Sequence, residues 1–201
     1  MDKKKTIEKI ICNAGGIAKT SEFVSAGLSN FDVAHLCSDG YIKRLRHGYY
    51  QLAHNEDISE EQVLASLLPE GIVCVESALF HYGYSDFTPR QWSIAVPRTF
   101  SRTRLKFDTL PMTIYYIQNA QFEIGKAESC FNGVQLAVYD RERTICDCFK
   151  YRAKLDNEQF NKALKAYAAD NKKNLSNLSN YAKELRVYSR LMNVMEVLLN
   201  D

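Results

Sequence analysis

The chain has 201 residues, of which 46 % are hydrophobic and 25 % charged, with a net charge of +2. This length carries one large domain or two smaller ones, and the composition is that of a globular protein rather than a disordered or fibrous one. No apolar run approaches the ~20 residues of a membrane span, and the opening Met-Asp-Lys-Lys-Lys lacks the apolar stretch of a secretory signal, so a cytoplasmic location without a membrane partner is expected.

Residues 3–14 read as a helix, because Ile7, Ile10, Ile11 and Ala14 recur at helical spacing before Gly15-Gly16. A short extended piece from Ile17 to Lys19 follows. Thr20 or Ser21 is expected to cap a second helix that ends at Gly27. Ser29 caps a third, with Asp32 in the acid position of a capping box, and Gly40 terminates it. From Tyr41 to Leu52 the residues favour strands around a reversal at Arg46-His47-Gly48. Three helices and a ribbon within the first 54 residues predict a winged helix-turn-helix. The polar stretch after His54 marks the expected boundary of a second domain, 55–201.

The second domain alternates. Ser59 is expected to cap a helix with Val63, Leu64, Leu67 and Leu68, closed by Pro69-Glu70-Gly71; Ile72–Val75, Trp92–Val96, Met112–Ile117, Phe122–Ile124 and Val134–Val138 read as strands, and residues 77–83 as a helix. Asp140 caps a helix holding Ile145, Cys148 and Phe149. Apolar stripes at Phe160/Ala163/Leu164/Tyr167, Leu175/Leu178/Ala182/Leu185 and Leu191/Val194/Met195/Leu198 predict a helical C-terminal segment. The expected class is therefore α+β, a winged helix followed by a mixed α/β domain ending in helices.

Charge distribution points to a partner. Residues 1–54 hold eight Lys/Arg against five Asp/Glu, whereas 55–110 hold five against eight. A clustered basic excess attracts phosphates even where net charge is small. On helical projection Val33, Leu36 and Cys37 of the third helix turn inward, leaving Asn30, Phe31, Ala34, His35 and Ser38 outward. Asn30, Phe31, His35 and Ser38 are the candidate readers, since a helix of this kind fits the DNA major groove. Lys43, Arg44 and Arg46 fall on the wing, where cations reach backbone phosphates. The bland alternatives are a solvated helix face and a charged edge strand. A second run, Arg98, Arg102, Arg104 and Lys106, is either a solvated loop or a further phosphate-contacting surface.

The six cysteines (Cys12, Cys37, Cys74, Cys130, Cys146, Cys148) read as buried, reduced thiols, since several fall on apolar faces. Cys146-x-Cys148 has neither redox nor zinc spacing, and the four histidines add no ligand pattern, so no metal or cofactor is expected. Glu76, Asp86, Asp108, Asp140 and Asp147 supply carboxylates, which keeps a nuclease or nucleotidyltransferase fused to a winged helix as an alternative. There is, however, no Gly-Ser followed by paired Asp and no phosphate loop. A stand-alone regulator whose second domain binds a ligand or a protein is the other alternative.

The segment Gly40-Tyr-Ile-Lys-Arg-Leu-Arg-His-Gly-Tyr-Tyr-Gln-Leu52 resembles the end of the N-terminal winged helix of AbiEi-family antitoxins, from type IV toxin–antitoxin systems. Three further landmarks follow in the same order: Val75-Glu-Ser-Ala-Leu-Phe-His-Tyr-Gly-Tyr84, Trp92-Ser-Ile-Ala-Val-Pro97 and Tyr139-Asp-Arg-Glu-Arg-Thr-Ile-Cys-Asp147. Together they cover residues 1 to about 150; the C-terminal helices match only in kind. The resemblance implies a non-enzymatic repressor of its own operon, bound to double-stranded operator DNA. It also implies an antitoxin role in phage defence against a nucleotidyltransferase-like toxin that the antitoxin need not touch. For Arg143, Thr144 and Asp147 the structural reading is favoured: Thr144 and Asp147 satisfy a helix start and Arg143 pairs with Asp147 at i,i+4.

Overall fold

A computed structural model describes residues 2–54, 58–107 and 110–200. The chain forms two compact units and is α+β. The first unit comprises residues 1–69 and takes back Ser101–Leu110; the second comprises 70–100 and 111–201. The expected boundary after residue 54 therefore moves. Helix α4 (Glu60–Leu67), capped by Ser59 and Gln62 in a reciprocal box, belongs with the first unit and buries Val63, Leu64 and Leu67.

In the first unit α1 (Lys3–Asn13), α2 (Thr20–Ser25) and α3 (Asn30–Ser38) pack on a three-stranded antiparallel sheet. Strand β1 (Ala18–Lys19) pairs with β3 (Tyr49–Leu52), which pairs in turn with β2 (Ile42–Arg46). The extended piece before α2 thus adds a third strand to the expected two-stranded ribbon. Neither Thr20 nor Ser21 caps α2. The cap position is Lys19, whose backbone N–H donates to the Glu22 carboxylate at 2.6 Å. Ser29 caps α3 as expected, its hydroxyl accepting from the Asp32 N–H while Asp32 reaches back. Ile7, Ile11, Phe23, Leu28, Val33, Leu36, Ile42 and Leu52 close the core. Burying each such side chain contributes about 1.5–3 kcal/mol, far more than the few tenths available from helix propensity in α3. The β2–β3 reversal turns on His47 and Gly48, whose φ of +80° a residue with a Cβ resists.

The second unit is built on a five-stranded mixed sheet in the order β6-β5-β4-β8-β7. These strands are β4 (Ile72–Val73), β5 (Trp92–Pro97), β6 (Met112–Ile117), β7 (Lys126–Phe131) and β8 (Val134–Tyr139). Pairing is parallel for β5–β6 and β4–β8 and antiparallel for β4–β5 and β7–β8. Helices α5 (Val75–His81), α7 (Arg141–Lys150), α8 (Asn157–Ala169), α9 (Leu175–Glu184) and α10 (Tyr188–Asn200) share one apolar core with Ile72, Ala95, Tyr115 and Tyr139 of the sheet. Two expectations fail here. Of the residues expected as a strand at 122–124, Phe122 ends a one-turn helix, α6 (Asn119–Phe122), Glu123 and Ile124 lead out of it, and the strand follows as β7. Within the C-terminal stripes Leu175 and Val194 face outward, because α9 and α10 bury a narrower face than their apolar residues cover. Val75, a β-branched residue at φ +41°, opens α5 in strained backbone, held there by complete burial. No helix among the described residues is long and apolar enough to cross a membrane.

Candidate nucleic-acid interface

The first unit presents the candidate readers together. Val33 and Leu36 anchor α3 in the core and Cys37 is half-buried, so Asn30, Phe31, Ala34, His35 and Ser38 face out, as the projection requires. Phe31 is 76 % exposed, an unusual placement for a large ring. It lies 6.3 Å from the His35 ring one turn on, and His35 Nδ1 in turn meets the Asp39 carboxylate at 3.0 Å. The Ser38 hydroxyl donates back to the His35 carbonyl, which leaves its oxygen lone pairs outward as acceptors. Asn30, in the first turn, keeps its amide exposed.

Charge near α3 is partly committed internally. Asp32 accepts from the Lys3 ammonium at 2.6 Å and from the Ser29 N–H and hydroxyl at 2.9 and 2.7 Å. The Lys3 hydrogen bond, then those from Ser29, hold its carboxyl well below the usual carboxylate range. The acid of the α3 capping box is therefore neutralised from α1.

The wing follows α3 directly, through Gly40 and Tyr41 into β2, and α3 packs on that strand. Lys43 and Arg44 are exposed on β2, opposite Gln51 and Tyr50. Arg46 corrects the expectation. It is only 6 % exposed: Nη1 donates to the Arg104 carbonyl at 2.8 Å, and the guanidinium carbon lies 4.3 Å from the Tyr49 ring centroid and 5.7 Å from that of Phe107. A guanidinium held between a carbonyl and two rings is not presented to a phosphate. The irregular register between Arg44 and Arg46 turns this one cation of the wing inward, a signal that residue spacing along a regular strand does not carry.

The second basic run divides. Arg98 lies in the second unit, its N–H donating to the Ile117 carbonyl. Arg102, Arg104 and Lys106 lie in the first unit, exposed on a 3-10 turn spanning Arg102–Leu105 and the residue after it. That turn and the wing share a cleft of about 490 Å³ lined by Arg44, Arg46, His47, Thr103, Arg104 and Lys106.

Of the five carboxylates that kept an enzyme open, the four among the described residues are dispersed over structural tasks. Asp140 caps α7 by accepting from the Arg143 N–H at 2.8 Å, and also accepts from the Tyr181 hydroxyl. Asp147 accepts from Arg143 Nε at 3.1 Å in a fully buried pair. Arg143 Nη1 donates to the Gln121 and Ile124 carbonyls at 2.8 and 2.7 Å, and the guanidinium lies over the Tyr139 ring. Burial pushes the Asp147 carboxyl up, against the Arg143 charge that pulls it down. Glu142 is buried too, accepting from the Tyr167 hydroxyl and the Asn174 N–H. Asp86 pairs with Lys162, Glu76 accepts from Ser93, and Asp108 lies outside the described residues. The 140–147 motif thus ties α7 to β8, α6, α8 and α9. The thiols also differ from expectation. Cys74, Cys146 and Cys148 are buried, with burial pushing each thiol up, but Cys37 is half-buried and Cys12 and Cys130 are exposed. Cys12 sits on the outer face of α1 and Cys130 on the outer face of β7, where the apolar periodicity does not reach.

No family model matches this chain, and no curated protein matches it. Among solved structures, the crystal structure of the RV2827C protein from Mycobacterium tuberculosis is similar in fold, with a TM-score of 0.69 over 97 % of this chain and 79 % of that one, at 14 % sequence identity.

Proposed function

We propose that this chain is a sequence-specific regulator of transcription that binds double-stranded DNA, and within that class an autorepressing antitoxin of the AbiEi type. The observation that carries the reading is the pairing, within one unit, of an outward polar face on α3 with exposed Lys43 and Arg44 on the wing that follows it. A nine-residue capped helix with Asn30 in its first turn suits the major groove, where an amide can bond both adenine edge atoms and a phenyl ring such as Phe31 meets a thymine methyl. The wing cations supply affinity that does not depend on sequence. In this reading the protein acts in the cytoplasm without turnover of its own. A nucleotidyltransferase-like toxin is its functional counterpart, opposed without obligatory contact.

The test uses duplex DNA from immediately upstream of the protein's own gene and a scrambled duplex of equal length, at one fixed salt concentration. Asn30→Ala is expected to cost roughly 1–3 kcal/mol on the upstream duplex and much less on the scrambled one, the size of one base-pair discrimination. Lys43→Ala is expected to weaken both equally. If Lys43→Ala erodes the specificity ratio while Asn30→Ala leaves it intact, the wing reads and the helix does not. Equal, weak binding to both duplexes by the unaltered protein would refute sequence-specific regulation.

A further inference from the structure

We infer that the turn Arg102–Lys106 is a second arm of the DNA interface, bearing on backbone phosphates beside those met by the wing, and that Arg46 is the positioning residue that docks it there. The inference rests on the DNA-binding reading above and adds a contact surface to it. Three observations lead to it. First, the chain leaves the second unit after Phe100 and returns there at Pro111, spending Ser101–Leu110 against the winged-helix unit. Second, the return is held by the wing itself. Of the three cations on β2 one is buried, Arg46, whose Nη1 bonds the Arg104 carbonyl and whose guanidinium lies against Tyr49 of β3 and Phe107 of the returning segment. Third, the docking sets Arg104 and Lys106 around one cleft with Arg44 and His47, and leaves the side chains of Arg102, Arg104 and Lys106 exposed.

The cleft is lined by basic and neutral side chains: Arg44, Arg46, His47, Thr103, Arg104 and Lys106. From Gly40 to Tyr50 and from Ser101 to Phe107 the sequence contains no Asp or Glu. Lys43, Arg44, Arg102, Arg104 and Lys106 are all exposed, and a concentration of cations attracts a polyanion. Duplex DNA suits such a surface because its phosphates recur along each strand at intervals comparable to the spacing of neighbouring side chains. Arg46 gives its charge to the fold rather than to the ligand, and it sets the geometry of three other charges.

The experiment measures binding of the full chain to the upstream and scrambled duplexes across a salt series. Each phosphate contact removed flattens the log–log salt dependence by about 0.9, so Arg102→Gln/Arg104→Gln/Lys106→Gln together flatten it by about 2.7 if all three are engaged. Between 50 and 200 mM salt the advantage of the unaltered protein over this variant then shrinks by about 40-fold, equally on both duplexes. All three replaced side chains are exposed, and an unchanged thermal unfolding midpoint checks that the fold is kept. Arg46→Gln is expected to flatten the slope in the unaltered background and to add nothing in the triple-glutamine background. A further loss of about 0.9 in that background would make Arg46 a phosphate contact and overturn its positioning role. If the unaltered protein binds with a steep salt slope that the triple variant leaves intact, the turn is not part of the interface although the regulator reading survives. If the unaltered protein binds neither duplex, the regulator reading itself fails, and this inference with it.

Discussion

Gly125→Ala tests how the second unit is held together. Gly125 has φ +71°, and a Cβ built there would lie 2.4 Å from Arg143 Cβ, 3.0 Å from Asp140 Oδ1 and 3.2 Å from Arg143 Cγ. The left-handed backbone alone costs an alanine about 1 kcal/mol. The clash costs more. Carbon atoms settle at about 3.5–4.0 Å, so the two Cβ atoms must separate by more than ~1 Å. Arg143 has nowhere to move without lengthening its 3.1 Å bond to Asp147 and its 2.7 and 2.8 Å bonds to the Ile124 and Gln121 carbonyls. Breaking a buried ion pair costs about 3–5 kcal/mol, because an uncompensated charge stays behind. The expected total is about 4–6 kcal/mol. Gly133→Ala is the control: it has φ +84° in the same unit, with nothing within 4 Å of the added carbon. It should cost only about 1 kcal/mol. With a urea m-value of about 2 kcal/mol per molar, the midpoints should fall by roughly 2–3 M and 0.5 M respectively. Equal shifts for the two variants would refute the claim that the Arg143 network, rather than backbone conformation, makes Gly125 obligatory.

Burial dictates two further outcomes. With a thiol reagent under native conditions Cys12 and Cys130 should react rapidly and Cys74, Cys146 and Cys148 only on unfolding; counting labelled thiols by mass spectrometry checks this, and rapid modification of all six would contradict the core packing. Stability should also fall at alkaline pH. Burial first, then the charges of Asp140 and Glu142, push the Tyr82 and Tyr181 hydroxyls up to about 12, above the ~10 of an unfolded tyrosine. Such a group stabilises the fold fully below the unfolded value and loses that contribution as pH rises through the folded one. Urea midpoints should therefore hold to about pH 10 and then decline toward pH 12, with tyrosinate absorbance rising alongside unfolding. Tyrosinate formation complete near pH 10 with no loss of structure would exclude burial of these rings.

The winged helix was legible because its signals are local. Ser29 with Asp32, the glycines after each helix and the inward Val33/Leu36 repeat all lie within a turn or two of the structure they specify. The same holds for the Asp140 cap and the Arg143–Asp147 pair at i,i+4. Strand β7 was missed, although its signal is in the chain. Asn132-Gly133, with φ of +47° and +84°, is the two-residue reversal that joins β7 to β8, but Lys126–Phe131 is too polar at an edge to show a strong alternating pattern. Other features were not local. The pairing of β1 with β3 joins residues about thirty apart. The burial of Arg46 depends on a carbonyl 58 residues away, and no spacing rule within the wing announces it. The sequence showed two separate runs of cations; the structure buries Arg46 of the first, places Arg98 of the second in the other unit, and brings Arg104 and Lys106 to one cleft with Arg44.

The return of Ser101–Leu110 makes the first unit discontinuous in the chain. Three covalent crossings join the units, where a simple tandem arrangement would have one. Modular exchange is constrained accordingly. A graft of residues 1–69 onto a foreign partner leaves the Arg104 carbonyl behind and strands the Arg46 guanidinium without its acceptor. During synthesis, too, the wing emerges well before the segment that docks on it. The winged-helix unit reaches its final form only after about forty residues of intervening and returning chain have left the ribosome. Inheritance of the winged-helix unit is thereby tied to inheritance of the second unit.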